Sequence, residues 1–400
     1  MLSDSTHNQH YMDYHKLFCN IPKPFAFLDL DQLNENIRTV KSICRNKAVR
    51  IASKSLRCVP VIQYLLQTGS PFQGIMCYTA SEALFLSKNG LDDLLVAYPV
   101  WDEAMIHSVA CAVKEGKTII LMVDCDEHVE RIASIAHREK VVLPVCLDMD
   151  LSVSFPMLHF GVYRSPLSTL DAFLQVAKTI HESRSVRLDG VMGYEAQVAG
   201  VGEQTPYQPL KNLLIRLLKK HSVRRCSRIR KEWIDALSQE GLTPRFINGG
   251  GTGSLSETAK EETVTEITVG SAFYSPTLFD HYRNLHYQPA AGFALEITRK
   301  PRSDVYTCTG GGYIASGAAG SDRLPRPFLP KGASLVKMEG AGEVQTPVRL
   351  KSKLHLGDPI FFRHAKAGEL CEHFNELIVV SNGAIVDRFP TYRGEGACFL

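Results

Sequence analysis

The strongest constraint on the fold of this 400-residue chain is a regular alternation of short apolar segments with longer amphipathic ones. Between residues 49 and 274 the apolar segments include VRIAS, GIMCY, DLLVAYP, TIILMVD, VLPVCLDMD and LDGVMGYEA, and helical periodicity follows most of them. Short strands that alternate with helices are typical of parallel βαβ units. About eight such strands predict a (β/α)8 TIM-like barrel rather than an open sheet.

The pattern changes near residue 285, where helical periodicity gives way to strand-like pieces separated by Gly, Pro and Asp. This indicates a second, mostly antiparallel β domain. We therefore predict a polar N-terminal leader over residues 1–21, a barrel domain over 22–284 and a C-terminal β domain over 285–400. A strand at 25–30 and its following helix are expected to open the barrel domain.

Composition excludes several classes of function. The hydrophobic fraction is 44%, the charged fraction is 22% and the net charge is +3, values that are ordinary for a globular protein. The basic segment 221–233 has few interleaved aromatic residues, so we interpret it as a solvated helix face and expect no nucleic-acid partner.

The eleven cysteines are scattered singly, which favours reduced thiols in a cytoplasmic protein. The leader has no apolar core, so a secretory signal is not expected. No apolar run approaches the ~20 residues of a membrane helix, so no membrane association is expected.

Lys54 follows the apolar segment VRIAS, at the expected carboxyl end of the first barrel strand. Active sites of such barrels lie at this end of the strands. Desolvation there would make the neutral amine available for a Schiff base. Ser53, Ser55 and Arg57 add polar groups at the same rim, although a lysine beside a strand can also simply extend into water.

A second cluster, FINGGGTGS at 246–254, follows a later strand. Successive glycines allow backbone N–H groups to approach an anion, and the Thr252 hydroxyl adds a donor. Gly270 and Ser271 end the next strand, and late loops of such barrels recurrently bind phosphate. A lysine on the first strand and a phosphate cradle on the last ones match the needs of pyridoxal 5'-phosphate (PLP).

The segments FLDLDQLNENIRTV, ASKS, GGGTGS and TVTEITVGSAFYSPTLFD resemble the fold-type III PLP enzymes, and most nearly the D-threonine aldolase and D-serine dehydratase-like group. The resemblance extends from about residue 22 to the C-terminus. It implies an alanine racemase-like N-terminal barrel, a C-terminal β domain and a homodimer with active sites near the subunit interface.

The resemblance also implies roles for individual residues. Lys54 matches the Schiff-base lysine, and the phosphate loops match Gly250, Gly251, Thr252, Gly270 and Ser271. Tyr194 matches a tyrosine at a strand end over the cofactor, and its alternative is a barrel-lining aromatic. We count Lys54 and Tyr194 as catalytic candidates, and Arg57 as a further cofactor-binding candidate.

One departure from the family pattern concerns the pyridine nitrogen of the cofactor. Relatives carry an arginine in the loop after the strand at 141–150. Here His159 lies near that place and Arg164 follows somewhat later. A weakly basic partner would leave the pyridine nitrogen unprotonated, which makes the ring a weaker electron sink. We assign His159 as a cofactor-binding residue at this position.

The other departure concerns a divalent metal, Zn or Mn, that the resemblance implies. The family motif is His-x-Cys or His-x-Asp with an Asn four residues beyond. This chain keeps Cys371 and Asn375 but has Glu369 in place of the histidine, with His364 as an alternative ligand. Glu369 and Cys371 are the predicted ligands, although Cys371 would also serve as a buried apolar residue.

These observations predict a PLP-dependent lyase that acts on a β-hydroxy D-amino acid, as an aldolase or a dehydratase. A PLP-dependent racemase, with Tyr313 as a second base, is the alternative. A non-catalytic PLP-binding protein is a second alternative, disfavoured by the long C-terminal domain.

Overall fold

The structure is a computed structural model that describes residues 4–155, 158–206, 208–318 and 320–400. The chain divides into two compact units. One comprises residues 40–54, 62–270 and 399–400, which we call the barrel unit. The other comprises residues 1–39, 55–61 and 271–398, which we call the sheet unit.

The barrel unit contains a closed barrel in which each strand pairs in parallel with its neighbours. Barrel strands one to eight are Ala48–Ala52, Phe72–Cys77, Leu94–Pro99, Ile119–Val123, Leu143–Met149, Val186–Gly193, Phe246–Gly249 and Glu266–Val269. Its helices are Val59–Gln67 (which straddles the unit boundary), Ala80–Lys88, Glu103–Lys114, Asp126–Glu139, Leu170–Glu182, Ala196–Ala199, Pro209–Gln239 and Leu255–Thr258. A two-stranded hairpin pairs Val153–Phe155 with Leu158–Phe160.

The order of pairing determines which strand ends are neighbours. Barrel strand one pairs with barrel strand eight, and strand eight pairs with strand seven. The carboxyl ends of these three strands therefore lie side by side. An apolar cluster fills part of the barrel interior: Leu95, Ile120, Met122, Cys146, Met192 and Phe246.

Arg50 is fully buried in barrel strand one, although the surrounding segment was interpreted as apolar. Its Nε donates to Glu266 Oε1 at 2.7 Å and its Nη2 lies 3.2 Å from Asp93 Oδ1. The guanidinium also lies 5.0 Å from the centroid of the Phe246 ring. Two carboxylates and an aromatic face thus compensate a charge that the interior would otherwise exclude.

The sheet unit is built on a nine-stranded sheet. Its strands are Phe25–Asp29, Ala291–Arg302, Val305–Thr309, Arg326–Leu329, Ser334–Leu335, Gln345–Arg349, Pro359–Arg363, Glu376–Ser381 and Ala384–Pro390. Its helices are Asp4–Leu17, Leu30–Ile43, which crosses into the barrel unit, Ser271–Tyr274 and Glu369–His373, and 3-10 turns cover Ser53–Ser55 (at the unit boundary), Thr277–His281 and Ser321–Arg323. Most pairings are antiparallel, so the predicted barrel and mostly antiparallel β domain are both confirmed.

The division of the chain differs from the expected boundaries at 22 and 285. Phe25–Asp29 pairs antiparallel with Ala291–Arg302 and parallel with Glu376–Ser381, so it belongs to the sheet unit. All five of its residues are buried. A strand that is covered on both faces has the same apolar sequence pattern in the barrel as in the other sheet.

The expected polar leader contains the helix Asp4–Leu17, while residues 1–3 lie outside the described residues. Tyr11, Tyr14 and Phe18 are buried, and the Tyr14 hydroxyl donates to Asp29 Oδ2 at 2.6 Å. A narrow aromatic stripe therefore anchors a segment whose average composition is polar. All eleven cysteines are free thiols, and within the described ranges no helix is long and apolar enough to cross a membrane.

Candidate active site

Lys54 lies at the carboxyl end of barrel strand one, where the strand passes into the 3-10 turn Ser53–Ser55. The Ser53 hydroxyl donates to the Met76 carbonyl at 2.9 Å, which ties this turn to barrel strand two. The Lys54 side chain is exposed, whereas the sequence analysis expected a desolvated amine.

Tyr98, in barrel strand three, is the polar partner of Lys54 in this structure. Its hydroxyl is hydrogen-bonded to the side chains of Lys54 and Arg164. Burial raises the pKa of Tyr98, but the two cations outweigh burial and hold that pKa below its ordinary value. The Arg164 guanidinium lies 4.7 Å from the centroid of the Tyr98 ring, a cation–π arrangement.

Asp148, in barrel strand five, anchors Arg164. Arg164 Nε donates to Asp148 Oδ2 at 2.6 Å, and Arg164 Nη2 donates to the Ala97 carbonyl. Burial raises the pKa of Asp148 to about 7, even though Arg164 opposes that rise. Lys54, Tyr98, Arg164 and Asp148 therefore form a continuous polar chain, which we call the Tyr98 network.

The glycine loop begins where barrel strand seven ends. Gly250 has φ +83°, and a Cβ at that position would lie 2.6 Å from Ile267 Cγ2. A Cβ on Gly251 would lie 3.3 Å from Tyr194 Cε2. Only glycine fits this close approach of backbone to side chains.

Glu195 stabilises the glycine loop by accepting hydrogen bonds. Its Oε2 accepts from the Gly250 N–H at 3.3 Å, and its Oε1 accepts from the Ser254 hydroxyl at 2.7 Å and from the Thr258 hydroxyl. Arg230 Nη2 donates to Glu195 Oε2 at 2.8 Å. These bonds hold the loop in place without a ligand.

Arg230 also corrects an expectation of the sequence analysis. It lies in the segment interpreted as a solvated helix face, but its side chain is fully buried between Glu195 and Glu261. The periodicity of basic residues cannot reveal which of them faces inward, because their carboxylate partners are far along the chain.

The remaining phosphate-loop candidates, Thr252, Gly270 and Ser271, follow barrel strands seven and eight. Thr252 is buried in the glycine loop, and Gly270 follows barrel strand eight. Ser271, the first residue of the sheet unit after Gly270, starts a short helix, and its Oγ lies 3.3 Å from Ser55 Oγ.

Tyr194 is partly buried and directly follows barrel strand six. Burial, and then the charge of Glu195, raise the pKa of its phenol to about 12. The group is therefore a neutral hydroxyl at physiological pH, next to the glycine loop.

Two cofactor candidates have other partners. Arg57 belongs to the sheet unit, where its guanidinium pairs with Glu372. His159 lies on the small hairpin, stacked on Tyr163 with ring centroids 4.2 Å apart and with Nδ1 3.1 Å from Ser154 Oγ. Their predicted roles stay predictions, and among the two candidates for the pyridine nitrogen it is Arg164 that reaches the Tyr98 network.

Sequence reasoning missed Tyr98, Asp148 and Glu195. Tyr98 and Asp148 are single polar residues near the ends of predicted barrel strands, and Glu195 directly follows Tyr194. Their position at strand ends was the available signal, because that edge of a barrel carries its functional groups.

The predicted metal ligands lie in the sheet unit. Glu369 Oε1 accepts from the Ser316 N–H at 2.8 Å, and Cys371 is fully buried beside Tyr274, to which it is hydrogen-bonded. Burial raises the pKa of the Cys371 thiol to about 12. Neither residue belongs to a cluster of three or more potential metal ligands among the described residues.

His364, the alternative ligand, is buried, and neither of its ring nitrogens has a hydrogen-bond partner among the described residues. Burial lowers its pKa to about 3, so the ring is neutral. The donors present do not assemble into a divalent-metal site, and the metal at Glu369 and Cys371 stays a prediction.

The residues of the barrel unit do fit PLP. The exposed Lys54 amine, the glycine loop that a Cβ would fill and the buried Thr252 hydroxyl lie at the ends of barrel strands one and seven, which flank strand eight. Such an arrangement offers one group for a carbonyl carbon and another for a phosphate.

Comparison with known proteins agrees with this geometry. Residues 28–277 match the family model described as alanine racemase, N-terminal domain. The 3-hydroxy-D-aspartate aldolase of Paracoccus denitrificans (strain Pd 1222) is 25% identical over 252 residues, which are 63% of this chain and 60% of that protein. The D-threonine aldolase of Arthrobacter sp is 22% identical over 253 residues, with the same coverage of 63% and 60%. The aligned segment thus spans less than two thirds of these relatives.

Solved structures share the fold across nearly the whole chain. The D-threonine aldolase from Filomicrobium marinum superposes with a TM-score of 0.78 at 17% identity, covering 95% of this chain and 96% of that one. The D-threo-3-hydroxyaspartate dehydratase from Delftia sp. HT23 gives a TM-score of 0.76 at 17% identity, covering 93% and 98%. The chain therefore belongs to the alanine racemase N-terminal domain family, the fold-type III PLP proteins.

Proposed function

We propose that this protein is a PLP-dependent lyase that acts on a β-hydroxy D-amino acid. The observation that carries the proposal is the adjacency of the Lys54 strand end and the glycine loop, separated only by barrel strand eight. The relatives named as 3-hydroxy-D-aspartate aldolase, D-threonine aldolase and D-threo-3-hydroxyaspartate dehydratase support the substrate class.

Lys54 would hold the cofactor covalently, and the glycine loop with Thr252, Gly270 and Ser271 would hold its phosphate. When bound, PLP supplies an electron sink for the pair of electrons left at the substrate's α carbon. The protein's own task is then to orient the substrate and to move protons.

Tyr98 is the residue best suited to move a proton beside Lys54. Its Oη is hydrogen-bonded to the side chains of Lys54 and Arg164, and the positive charges of both favour the phenolate form of Tyr98. In aldol cleavage, a base must remove the proton of the β-hydroxyl. Ionised Tyr98, whose negative charge Arg164 would stabilise from its anchor on Asp148, would accept that proton at Oη and become neutral.

Tyr194 would play a different part. Its buried neutral phenol is a hydrogen-bond donor next to the glycine loop, and it has no nearby cation that outweighs burial. We assign it to positioning of the cofactor through its O–H, whereas Arg57 and His159 remain weaker candidates because each has another partner.

Aldolase and dehydratase chemistry differ in what happens to the β-hydroxyl. An aldolase removes its proton and breaks the bond between the α and β carbons, whereas a dehydratase expels the hydroxyl group. The Tyr98 network favours the first, because it offers a proton acceptor. The predicted Zn or Mn at Glu369 and Cys371 stays a prediction and takes no part in this proposal.

The test begins with the purified protein and added PLP. Wild type should gain visible absorbance that Lys54→Ala lacks, and a colourless wild type would contradict the proposal. The PLP-loaded enzyme is then incubated with D-threonine, D-serine and 3-hydroxy-D-aspartate, with and without chelator.

Glycine plus an aldehyde identifies the aldolase, and a 2-oxo acid plus ammonia identifies the dehydratase. Inversion at the α carbon alone would identify the racemase, in which Tyr313 would be the second base. In this structure Tyr313 is stacked on His373 with ring centroids 4.5 Å apart. Absorbance without turnover of any substrate would instead favour the non-catalytic PLP-binding protein.

We also propose a homodimer, as the family resemblance implies. Sedimentation of the PLP-loaded protein should give twice the 44.4 kDa chain mass, and a monomer across the micromolar range would contradict it.

A further inference from the structure

A cluster of three metal-ligating residue types lies at the carboxyl end of barrel strand four. Asp124 directly follows the strand Ile119–Val123, Cys125 is the N-cap of the helix Asp126–Glu139, and His128 lies in the first turn of that helix. The carboxyl ends of barrel strands form the functional face of this fold. Neither the family resemblance nor the proposed reaction uses these residues.

The ligand atoms of the three residues converge. A carboxylate oxygen, the thiol sulfur and a ring nitrogen all lie within 4.8 Å of one another. Asp124 Oδ1 and His128 Nδ1 are 2.9 Å apart. Two such atoms bound to one tetrahedral Zn²⁺ would be about 3.3–3.5 Å apart, so a small separation of the two side chains would admit the ion.

The contact between Asp124 and His128 is not an ordinary hydrogen bond. His128 Nδ1 is buried and has no hydrogen-bond partner among the described residues, although the carboxylate oxygen is so close. The ring nitrogen therefore does not point at that oxygen. A buried ring nitrogen that has no hydrogen-bond partner, beside a carboxylate oxygen and a thiol, is available to a metal ion.

Partial burial limits the access of solvent to the cluster. Asp124 is buried, and Cys125 and His128 are partly buried. The Trp101 ring meets the His128 ring edge-on at 5.9 Å and carries the Arg131 guanidinium 4.3 Å from its own centroid.

We infer that Asp124, Cys125 and His128 form a Zn²⁺ site with an open coordination position at the mouth of the barrel. Carboxylate, thiolate and imidazole are the ligands that zinc takes in proteins, and three of them plus water make an open tetrahedral site. Binding replaces the thiol proton by the metal, and the proton is released to solvent. No change of oxidation state is involved.

The ion would act on the Tyr98 network through charge. The Asp124 carboxylate is among the groups that disfavour ionisation of Asp148. A divalent cation on Asp124 would offset this repulsion, and so strengthen the ion pair of Asp148 with Arg164. This consequence for catalysis rests on the proposed function, but the metal site itself does not.

The chain offers a matched control in a second His–Cys–carboxylate cluster, formed by His107, Cys111 and Glu139. There Nε2 lies within hydrogen-bond distance of Cys111 Sγ, at 3.7 Å, and Nδ1 lies 3.1 Å from Glu139 Oε1. The His107 side chain is also 52% exposed. Loss of metal on changing Cys111 would thus reveal non-specific binding by a surface thiol.

The test is equilibrium dialysis of the PLP-loaded protein against Zn²⁺, followed by substitution with Co²⁺ to detect a thiolate-to-metal absorption band. We expect one ion per chain with that band. Cys125→Ser should abolish the band, and His128→Gln should weaken Zn²⁺ binding at least about 10-fold. Cys111→Ser should leave both readouts unchanged.

Failure to bind Zn²⁺, or a Co²⁺ band that is lost in Cys111→Ser but kept in Cys125→Ser, would overturn the inference. PLP absorbance of each variant, read in the same samples, reports folding and cofactor loading separately. If Cys125→Ser does not fold, Asp124→Asn and His128→Gln decide, because either should weaken binding when the site is real. Normal PLP loading without zinc would refute this site alone and leave the proposed function standing.

Discussion

Arg164 and Asp148 meet in a single short contact, with 2.6 Å between Nε and Oδ2, and this contact positions the guanidinium against the Tyr98 ring. Neither Tyr98 nor Asp148 was a candidate from the sequence. The ion pair gives the exposed Lys54 a polar neighbour, Tyr98, whose protonation depends on Lys54 and Arg164.

Removing the Tyr98 hydroxyl should slow the reaction. Tyr98→Phe keeps the ring beneath Arg164 but loses the bonds to Lys54 and Arg164. Loss of a proton acceptor typically costs about 10²-fold or more in kcat. The control is Tyr163→Phe, since Tyr163 is 92% exposed. Steady-state kinetics on the PLP-loaded enzymes would contradict the role if both variants behaved alike.

The pH profile should carry the signature of Asp148. As pH falls through about 7, the carboxylate takes up a proton and its ion pair with Arg164 weakens, so activity should decline. Asp148→Asn should be less active and should lack this limb. If Asp148→Asn shows the same decline of activity as pH falls, the titration belongs to another group.

Stability should change in the opposite sense over the same range. The folded pKa of about 7 lies above the ordinary aspartate value of 3.8, so the folded protein holds this proton more tightly than the unfolded chain. The contribution is complete below the unfolded pKa and is lost as pH rises through about 7. Urea unfolding at several pH values should show this slope in wild type and a reduced slope in Asp148→Asn.

Gly250→Ala should impair cofactor retention. The new Cβ would have a strained positive φ and would lie 2.6 Å from Ile267 Cγ2, at a cost of about 2–4 kcal/mol. Gly241→Ala is the control, because Gly241 has φ +77° but open space around it. Equal PLP loss in both variants, measured by dialysis and absorbance, would show that backbone strain alone is responsible.

Arg50→Met should strongly destabilise the barrel. The change leaves Glu266 without its buried partner, and breaking a buried pair in this way costs about 3–5 kcal/mol. Arg245→Met should cost about 1 kcal/mol or less, because the Arg245 side chain is 44% exposed. Urea unfolding of both variants measures the difference, and similar values would show that the buried ion pairs add little.

The barrel was predictable because periodicity carries most of its information. Each apolar run between 49 and 274 contains its own evidence for a strand, and the position of Lys54 follows from the end of the first run. Phe25–Asp29 was assigned to the wrong sheet because its partners, around residues 294 and 377, cannot be identified from a local pattern.

Buried charges were the least predictable features. Arg50 pairs with Glu266, 216 positions away, and Arg230 pairs with Glu195, 35 positions away. A single basic residue in a strand or helix has the same local appearance whether it faces water or a distant carboxylate. Tyr98 and Asp148 were missed for the same reason, since each acquires its role through Arg164.

The pairing of Phe25–Asp29 with Glu376–Ser381 has a consequence for the order of events during synthesis. Ala26 must wait for Leu377, and at translation rates of 5–20 residues per second this delay is roughly 20–70 s. Residues 40–270, which contain the barrel, are synthesised long before the sheet can be completed. The first strand of that sheet, Phe25–Asp29, precedes them in the chain. The ribosome therefore holds a chain whose middle can fold while its first forty residues remain without their partner strands.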